Sequence, residues 1–112
     1  MKEKIKVYIA SPYTVGDKGE NVKEQIDCAD MLMADGFVPF VPLYYHFHHI
    51  MYHHSYEVWA KLGLEWLKEC DCILRLPGIS AGADHEVSEA RRMDIPIFYS
   101  YKELINFYDG KW

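Results

Sequence analysis

Apolar residues occur along this chain in four short runs, separated by longer stretches in which apolar and polar residues recur at helical spacing. The short runs are rich in β-branched and aromatic residues, and they predict strands at residues 5–10, 37–42, 70–76 and 95–100. A capping-box pattern at Asn21 and Glu24 predicts the start of a first helix, which Gly36 ends. Further helices are predicted at residues 56–69, 82–93 and 101–108. The aromatic, histidine-rich residues 43–55 are predicted to form a loop.

Strands that alternate with helices indicate an α/β protein with a doubly wound parallel sheet. We expect four to five strands covered by helices on both faces, because the third strand is apolar almost throughout. Such sheets bind ligands beyond the carboxyl ends of their strands. The segments after the first and third strands, SPYT at residues 11–14 and PGISAGADHE at residues 77–86, are therefore candidates for a functional site.

The helix predicted at residues 82–93 carries a carboxylate on its apolar face. Ala83, Val87 and Ala90 form one stripe at about 100° per residue, and Glu86 lies on that stripe. A lone inward carboxylate is costly unless a partner pairs with it or the protein uses it. An ionised carboxylate fixed at a cleft suits a nucleophile, whereas one that reaches back to free helix amides would be a plain cap.

Small residues precede this helix between Pro77 and Gly82. They allow a ligand to approach the backbone, amides at the helix start favour anions, and Ser80 adds a hydroxyl. The segment matches neither a P-loop nor a dinucleotide-binding glycine pattern, so an ordinary strand-to-helix turn is an equal alternative. Ser11 and Tyr13 follow the first strand, and we expect Ser11, Ser80 and the amides around Gly82 to form one polar pocket.

The composition limits the class of protein and its partners. The chain has 112 residues, 50% of them hydrophobic, which is typical of one domain with a single core, here residues 1–112. A formal net charge of -5 argues against binding to nucleic-acid polymers, and no apolar stretch is long enough to span a bilayer. The basic N-terminus is interpreted as leading into a strand, not as a signal peptide. The three cysteines lack a zinc spacing, so reduced thiols in a cytoplasm are expected.

Histidines are concentrated after the second predicted strand, within residues 46–54. Their spacing is compatible with a transition metal, but no carboxylate or cysteine lies close by to complete a typical site. The alternative, which we favour, is an aromatic and partly exposed wall that would suit stacking against a nucleobase.

Three segments resemble the nucleoside 2-deoxyribosyltransferase-like family, which includes relatives that hydrolyse nucleoside 5′-monophosphates. The segments are VYIASPYT, GLEWLKECDCILRLPG and SAGADHEVSEARRMDIPIF, and the resemblance spans residues 6–98. Its most specific part is the order of a strand, Asp71, an apolar run, Ser-x-Gly, a glutamate at a helix start, and a further strand. The resemblance implies a flavodoxin-like fold, subunits that share active sites, and attack on the anomeric carbon of a nucleoside.

The resemblance also implies roles for single residues. Glu86 corresponds to the catalytic glutamate, and Tyr8 to a tyrosine on the first strand that positions this glutamate. Part of the candidate substrate-binding set matches the region that holds the 5′ end of the sugar or its phosphate, namely Ser11, Ser80 and Gly82. The set is completed by Tyr13 and Asp84.

One departure from the family concerns the helix predicted at residues 56–69. Many active members carry an aspartate shortly before a Trp-Leu pair in this helix, and it is thought to serve the leaving base. Here the stretch reads AKLGLEWL, with Gly63 near the expected position. Glu65 would point elsewhere, and Val58, Leu62 and Trp66 are spaced for one face of the helix. The sequence therefore offers no residue at this position to protonate the leaving base, and a protein without catalysis is an alternative.

With this resemblance, the sequence predicts an enzyme that cleaves or transfers the N-glycosidic bond of a (deoxy)nucleoside or nucleoside 5′-monophosphate through Glu86. A glycosyl-enzyme would form and be resolved by water or by a second base, with no metal or organic cofactor. The alternative is a non-catalytic nucleotide-binding or sensing module, and a third hypothesis is a metal-binding protein. Apolar surface expected on residues 44–56 predicts a homodimer or higher homo-oligomer with this region near the contact.

Overall fold

Four strands and five α-helices make up the computed structural model, which describes residues 4–109. The strands are β1 (Lys6–Ala10), β2 (Val38–Phe40), β3 (Cys72–Arg75) and β4 (Ile97–Phe98). The helices are α1 (Lys18–Ala34), α2 (Tyr45–Met51), α3 (Tyr56–Leu67), α4 (Ala81–Arg92) and α5 (Tyr101–Tyr108). The outermost residues of the predicted domain, 1–3 and 110–112, lie outside the described part of the chain, as does the beginning of the basic N-terminus.

The strands form one sheet in the order β2-β1-β3-β4, and every pairing is parallel. In the central pair Tyr8 lies opposite Ile73, and Ala10 lies opposite Arg75. The carboxyl ends of β1 and β3 are therefore adjacent at one edge of the sheet. This arrangement confirms the predicted α/β class and its parallel sheet.

Successive residues of each strand point to opposite faces, and each face is covered by an apolar layer. Val7 and Ile9 belong to a buried cluster that includes residues of α1 and α5. Tyr8 and Ala10 belong to a second cluster, with Ile73 of β3 and buried residues of α3 and α4. Helices thus lie on both faces, and the side that carries Tyr8 is covered by α3 and α4.

Residues 43–55 differ from the predicted loop. A short 3-10 turn, Pro42–Tyr44, leads into α2, whose start has no side-chain cap. Aromatic contacts with α3 hold α2 instead: Trp59 Nε1 donates to His49 Nδ1 at 2.8 Å, and the Tyr45 and Trp59 rings lie 5.3 Å apart. The helix depends on tertiary contacts, which local sequence signals do not reveal.

The first helix begins about one turn earlier than predicted. Asp17 is its N-cap and accepts a hydrogen bond from the Glu20 amide at 2.9 Å. Asn21, the expected cap, lies inside the helix and donates to the carbonyls of Tyr13 and Val15. The predicted end is confirmed, because Gly36 follows α1 with a left-handed φ of 90°. Of the helices in the described chain, none combines the length and apolar character needed to cross a membrane.

Candidate functional site

A tyrosine and a carboxylate meet between the sheet and α4. Tyr8 is fully buried in β1, and its hydroxyl donates a hydrogen bond to Glu86 Oε2. Glu86 lies in the second turn of α4, on the side whose other members, Ala83, Val87 and Ala90, are buried. Glu86 itself is only partly buried. The structure therefore brings together the two residues that the sequence suggested as the reacting carboxylate and its positioning tyrosine.

Glu86 does not cap α4. Ser80 is the N-cap, and its hydroxyl oxygen accepts a hydrogen bond from the Ala83 amide at 3.0 Å. The hydrogen bond of the Glu86 carboxylate goes across to the sheet rather than back to the helix start. The capping explanation for its inward direction is therefore wrong, and a carboxylate directed at Tyr8 takes its place.

Burial dominates the electrostatics of this pair. It raises the pKa of Glu86 to about 7, although the Tyr8 hydrogen bond and the positive charge of Arg75 both oppose the rise. Burial, followed by the charge of Glu86, raises the pKa of Tyr8 well above its usual value. Tyr8 consequently keeps its proton and acts as a donor, while Glu86 can exist in either form near neutral pH.

Arg75 is a buried cation that sequence reasoning overlooked, because it sits inside an otherwise apolar strand. Its guanidinium donates to the carbonyls of Leu76 and Gly78, the latter at 2.9 Å. It also donates to Asp84 Oδ1 at 3.0 Å. Arg75 at the end of β3 and Asp84 in the first turn of α4 thus form an ion pair. Asp84, predicted to bind substrate, therefore already has a partner in this structure.

The backbone of α3 lies directly over the Tyr8–Glu86 pair. The buried residues of this helix are Gly63 and Leu67, whereas Val58 and Trp66, two of the three residues spaced for one face, are each 46% exposed. A Cβ placed on Gly63 would lie 2.8 Å from the Tyr8 hydroxyl and 3.8 Å from Glu86 Oε2. The position that corresponds to an aspartate in many members of the resembled family thus has no room for a side chain in this arrangement.

Replacing Gly63 with alanine is expected to destabilise the protein, even though alanine stabilises a helix by about 1 kcal/mol relative to glycine. The added methyl group must displace the Tyr8 hydroxyl or the helix, and we expect a net loss of about 1–3 kcal/mol in the free energy of unfolding. Urea unfolding measures this loss. The control is Gly19→Ala in the exposed first turn of α1, where the nearest atom to a new Cβ is an Asp17 carboxylate oxygen at 3.2 Å. Equal stability of the Gly63→Ala and wild-type proteins would contradict the close approach.

The two candidate residues after β1 have partners of their own. Ser11 is buried, and its hydroxyl oxygen accepts a hydrogen bond from Gln25 of α1 at 2.8 Å. The Tyr13 hydroxyl shares a 2.5 Å hydrogen bond with His46 Nδ1 of α2, and their rings meet edge to face. Gln25 thus fastens Ser11 to the α1 side, and His46 fastens Tyr13 against α2.

The loops that follow β1 and β3 touch each other. Gly78 has a left-handed φ of 119°, and a Cβ there would lie 2.7 Å from Pro12 Cγ. In the first turn of α4, a Cβ on Gly82 would lie 3.4 Å from the Tyr56 hydroxyl at the start of α3. Backbone therefore lines this edge of the sheet closely, as expected for a segment rich in small residues.

The histidines of residues 46–54 are engaged with aromatic rings. His48 and His54 pack edge to face against Trp59, and His49 accepts the Trp59 hydrogen bond. Within residues 4–109 no group of three or more histidine, cysteine or acidic side chains could hold a metal ion. The geometry therefore offers no support for the metal-binding hypothesis.

Comparison with known proteins gives a fold and a family. No curated protein matches the chain. Among solved structures, the 2-deoxyribosyltransferase of Bacillus psychrosaccharolyticus, described as a biocatalyst for nucleoside synthesis, superposes with a TM-score of 0.63 and 22% sequence identity. The match covers 82% of this chain and 69% of that one, and it confirms the predicted flavodoxin-like fold. Residues 5–100 match the family described as Domain of unknown function (DUF7768), and the chain therefore belongs to the DUF7768 family.

Proposed function

We propose that this protein cleaves or transfers the N-glycosidic bond of a nucleoside or nucleoside 5′-monophosphate, with Glu86 as the nucleophile. The observation that carries the proposal is the Tyr8–Glu86 hydrogen bond beside the carboxyl edge of a parallel sheet. The carboxylate of a partly buried glutamate, held by a neutral hydroxyl donor, is suited to attack a carbon that bears partial positive charge. The fold shared with a 2-deoxyribosyltransferase supports the choice of a nucleoside as substrate.

In the proposed reaction, a carboxylate oxygen of Glu86 forms a bond to the anomeric carbon while the bond from that carbon to the base nitrogen breaks. The base leaves with the electron pair and takes a proton. Since Gly63 offers no side chain, we assign this proton to solvent. Water or a second base then attacks the anomeric carbon and gives up a proton to solvent, and Glu86 leaves as a carboxylate. Tyr8 keeps its hydroxyl proton throughout and orients the carboxylate.

The sugar would lie over the start of α4. Ser80 and the small residues Ala81 and Gly82 allow its 5′ end to approach the backbone there. Ser11 can donate its own proton while its oxygen accepts from Gln25, and Tyr13 is held in place by His46 as a wall for the base. Asp84 would reach the ligand from its exposed position beside Arg75.

Release of free base from a panel of nucleosides and their 5′-monophosphates, with and without an acceptor base, tests this proposal. We expect release from at least one member of the panel, and formation of a new nucleoside if the enzyme is a transferase. Gly63, in place of the expected aspartate, favours one other candidate, a non-catalytic nucleotide-binding module. Saturable binding of a nucleotide without any base release would establish that candidate and reject the enzyme.

We also propose that the protein acts as a homodimer or higher homo-oligomer through α2. Phe47, Ile50 and Met51 are 54%, 59% and 76% exposed, so the helix presents apolar side chains to solvent. Clustered exposed apolar residues are typical of interfaces. Light scattering at micromolar concentration is expected to show the oligomer for the wild type and a monomer for Met51→Glu. Met33→Glu on α1, at a residue 63% exposed, is the control and should leave assembly unchanged. A monomeric wild type would contradict the proposal.

The cysteines support a reducing compartment, for which we propose the cytoplasm. Cys28, Cys70 and Cys72 are all free thiols. Burial raises the pKa of Cys28 and of Cys70 to about 11 and that of Cys72 to about 12. These thiols stay protonated at neutral pH, so we assign them to packing and not to chemistry.

A further inference from the structure

Arg75 occupies an unusual place for a charged residue. It is the last residue of β3, and it pairs with Ala10 two positions beyond the Tyr8–Ile73 pair. Because side chains alternate along a strand, Arg75 points to the face of the sheet that carries Tyr8 and Ile73. That face is covered by α3 and α4. A cation, 8% exposed, therefore lies on the same side of the sheet as Glu86.

The contacts of Arg75 join the end of the strand to the start of α4. Two carbonyl acceptors, Leu76 and Gly78, belong to the segment that leaves β3, and Asp84 belongs to the helix that follows. Burying a guanidinium is costly, and apolar residues of similar volume often replace a buried ion pair without loss of stability. Asp84 is largely exposed, so the pair is not enclosed on both sides. Stability alone does not account for a buried cation here.

We propose that Arg75 is a positioning residue for Glu86, acting through its buried positive charge and through its hold on the residues that join β3 to α4. The inference rests on the proposed role of Glu86 as nucleophile. Arg75 touches neither Glu86 nor, in the proposed reaction, the substrate. It acts on the reaction by favouring the ionised carboxylate and by fixing the segment that leads into the helix carrying Glu86.

The groups that act on Glu86 come from each element around it. β1 contributes the Tyr8 hydroxyl, which stays neutral, and β3 contributes the charge of Arg75. α3 contributes the backbone at Gly63, a residue without a side chain. On α4 itself, the Asp84 carboxylate is paired with Arg75. Within residues 4–109, the positive charge that favours the nucleophilic form of Glu86 is thus that of Arg75.

Titration of the Glu86 carboxyl carbon by NMR tests the charge directly and requires no turnover. The probe is protein labelled with ¹³C-glutamate, in which Glu86→Gln identifies the resonance. Arg75→Met and Arg75→Gln are expected to move the titration midpoint of Glu86 upward by about one pH unit, a tenfold gain in proton affinity. Arg75→Lys keeps a charge and should leave the midpoint closer to that of the wild type. An unchanged midpoint in both neutral variants would overturn the proposed charge effect.

Arg75→Lys tests the hold on the segment after β3. A lysine ammonium cannot reproduce the fork of a guanidinium, so hydrogen exchange at the amides of residues 78–80 should speed up by about tenfold. Exchange at the wild-type rate would overturn this part of the proposal.

Asp84→Asn is the matched control for the NMR titration, because it removes the partner carboxylate and leaves Arg75 in place. The titration midpoint of Glu86 should not rise in this variant.

The activity of the same variants links the two proposals and keeps them distinguishable. If the wild type releases base, the acid limb of kcat/KM should move upward in Arg75→Met by the same interval as the NMR midpoint. A lower rate with an unmoved acid limb would show that Arg75 has only a structural role. If the wild type releases no base, the proposed function fails, while the titration and exchange measurements still decide what Arg75 does to Glu86.

Discussion

Glu86→Gln is expected to reduce base release by about a thousandfold or more, because the amide keeps the shape of the side chain and removes the nucleophilic charge. Tyr8 can still donate to the amide oxygen, so the local packing survives. Nucleoside affinity should change by less than about tenfold, since the lost interaction belongs to the reacting state and not to binding. Initial rates of base release and equilibrium binding by calorimetry measure the two effects.

The matched control lies one turn along the same helix. Glu89→Gln removes a charge that pairs with Arg92 and does not contact Tyr8, so base release should stay within about twofold of the wild type. Equal rates for the wild type and Glu86→Gln would reject Glu86 as the nucleophile. Weakened binding without any wild-type turnover would support the nucleotide-binding module.

Protein stability is expected to fall as the pH rises from about 4.5 to about 7 on account of Glu86. Burial raises the pKa of Glu86 from 4.5, its ordinary value, to about 7 in the folded protein, so the folded state binds more protons between these pH values. Unfolding therefore becomes easier as the pH rises through this interval, and the effect is complete above it. A difference of about 2.5 pKa units corresponds to about 3 kcal/mol at most.

Comparison of Glu86→Gln with the wild type isolates this term. The variant should be about as stable as the wild type at pH 4.5, and more stable by about 2–3 kcal/mol at pH 8.5. Urea unfolding at both pH values measures the difference. The control is Glu24→Gln, which makes the same chemical change at an exposed position on α1. A constant difference between Glu86→Gln and the wild type would show that burial does not shift the ionisation of Glu86.

Some features of the site follow directly from sequence periodicity. The stripe of Ala83, Val87 and Ala90 is buried, and Glu86 lies on it, because helical spacing alone determines which residues share a face. The alternation of strands and helices likewise indicated a parallel sheet. Its carboxyl edge brings the loops after β1 and β3 together, and the order of the elements along the chain puts α4, which carries Glu86, directly after the second of these loops.

Other features depend on tertiary contacts that no local pattern encodes. The sequence does not single out Arg75, because the residues around it are apolar. They predict a buried strand whether or not one residue among them is charged. The importance of Gly63 lies in the closeness of the α3 backbone to the Tyr8 hydroxyl, whereas Val58, Leu62 and Trp66 pointed to another face of α3. The helix α2 was predicted as a loop since aromatic and histidine residues are weak helix formers. Its contacts with Trp59 become visible only in three dimensions.

The contact between Pro12 and Gly78 has a consequence for ligand selection. Beyond the last paired residues, the Leu76 amide still donates to the Ala10 carbonyl at 2.8 Å. The segments that follow β1 and β3 therefore leave the sheet side by side. Their separation at the rim is then inherited from the spacing of adjacent parallel strands, about 4.8 Å. For the ligand site proposed above, we therefore expect a larger ligand to require movement of both loops together. Size discrimination at this rim would therefore change in evolution through paired changes in both loops, with Gly78 retained wherever the proline is.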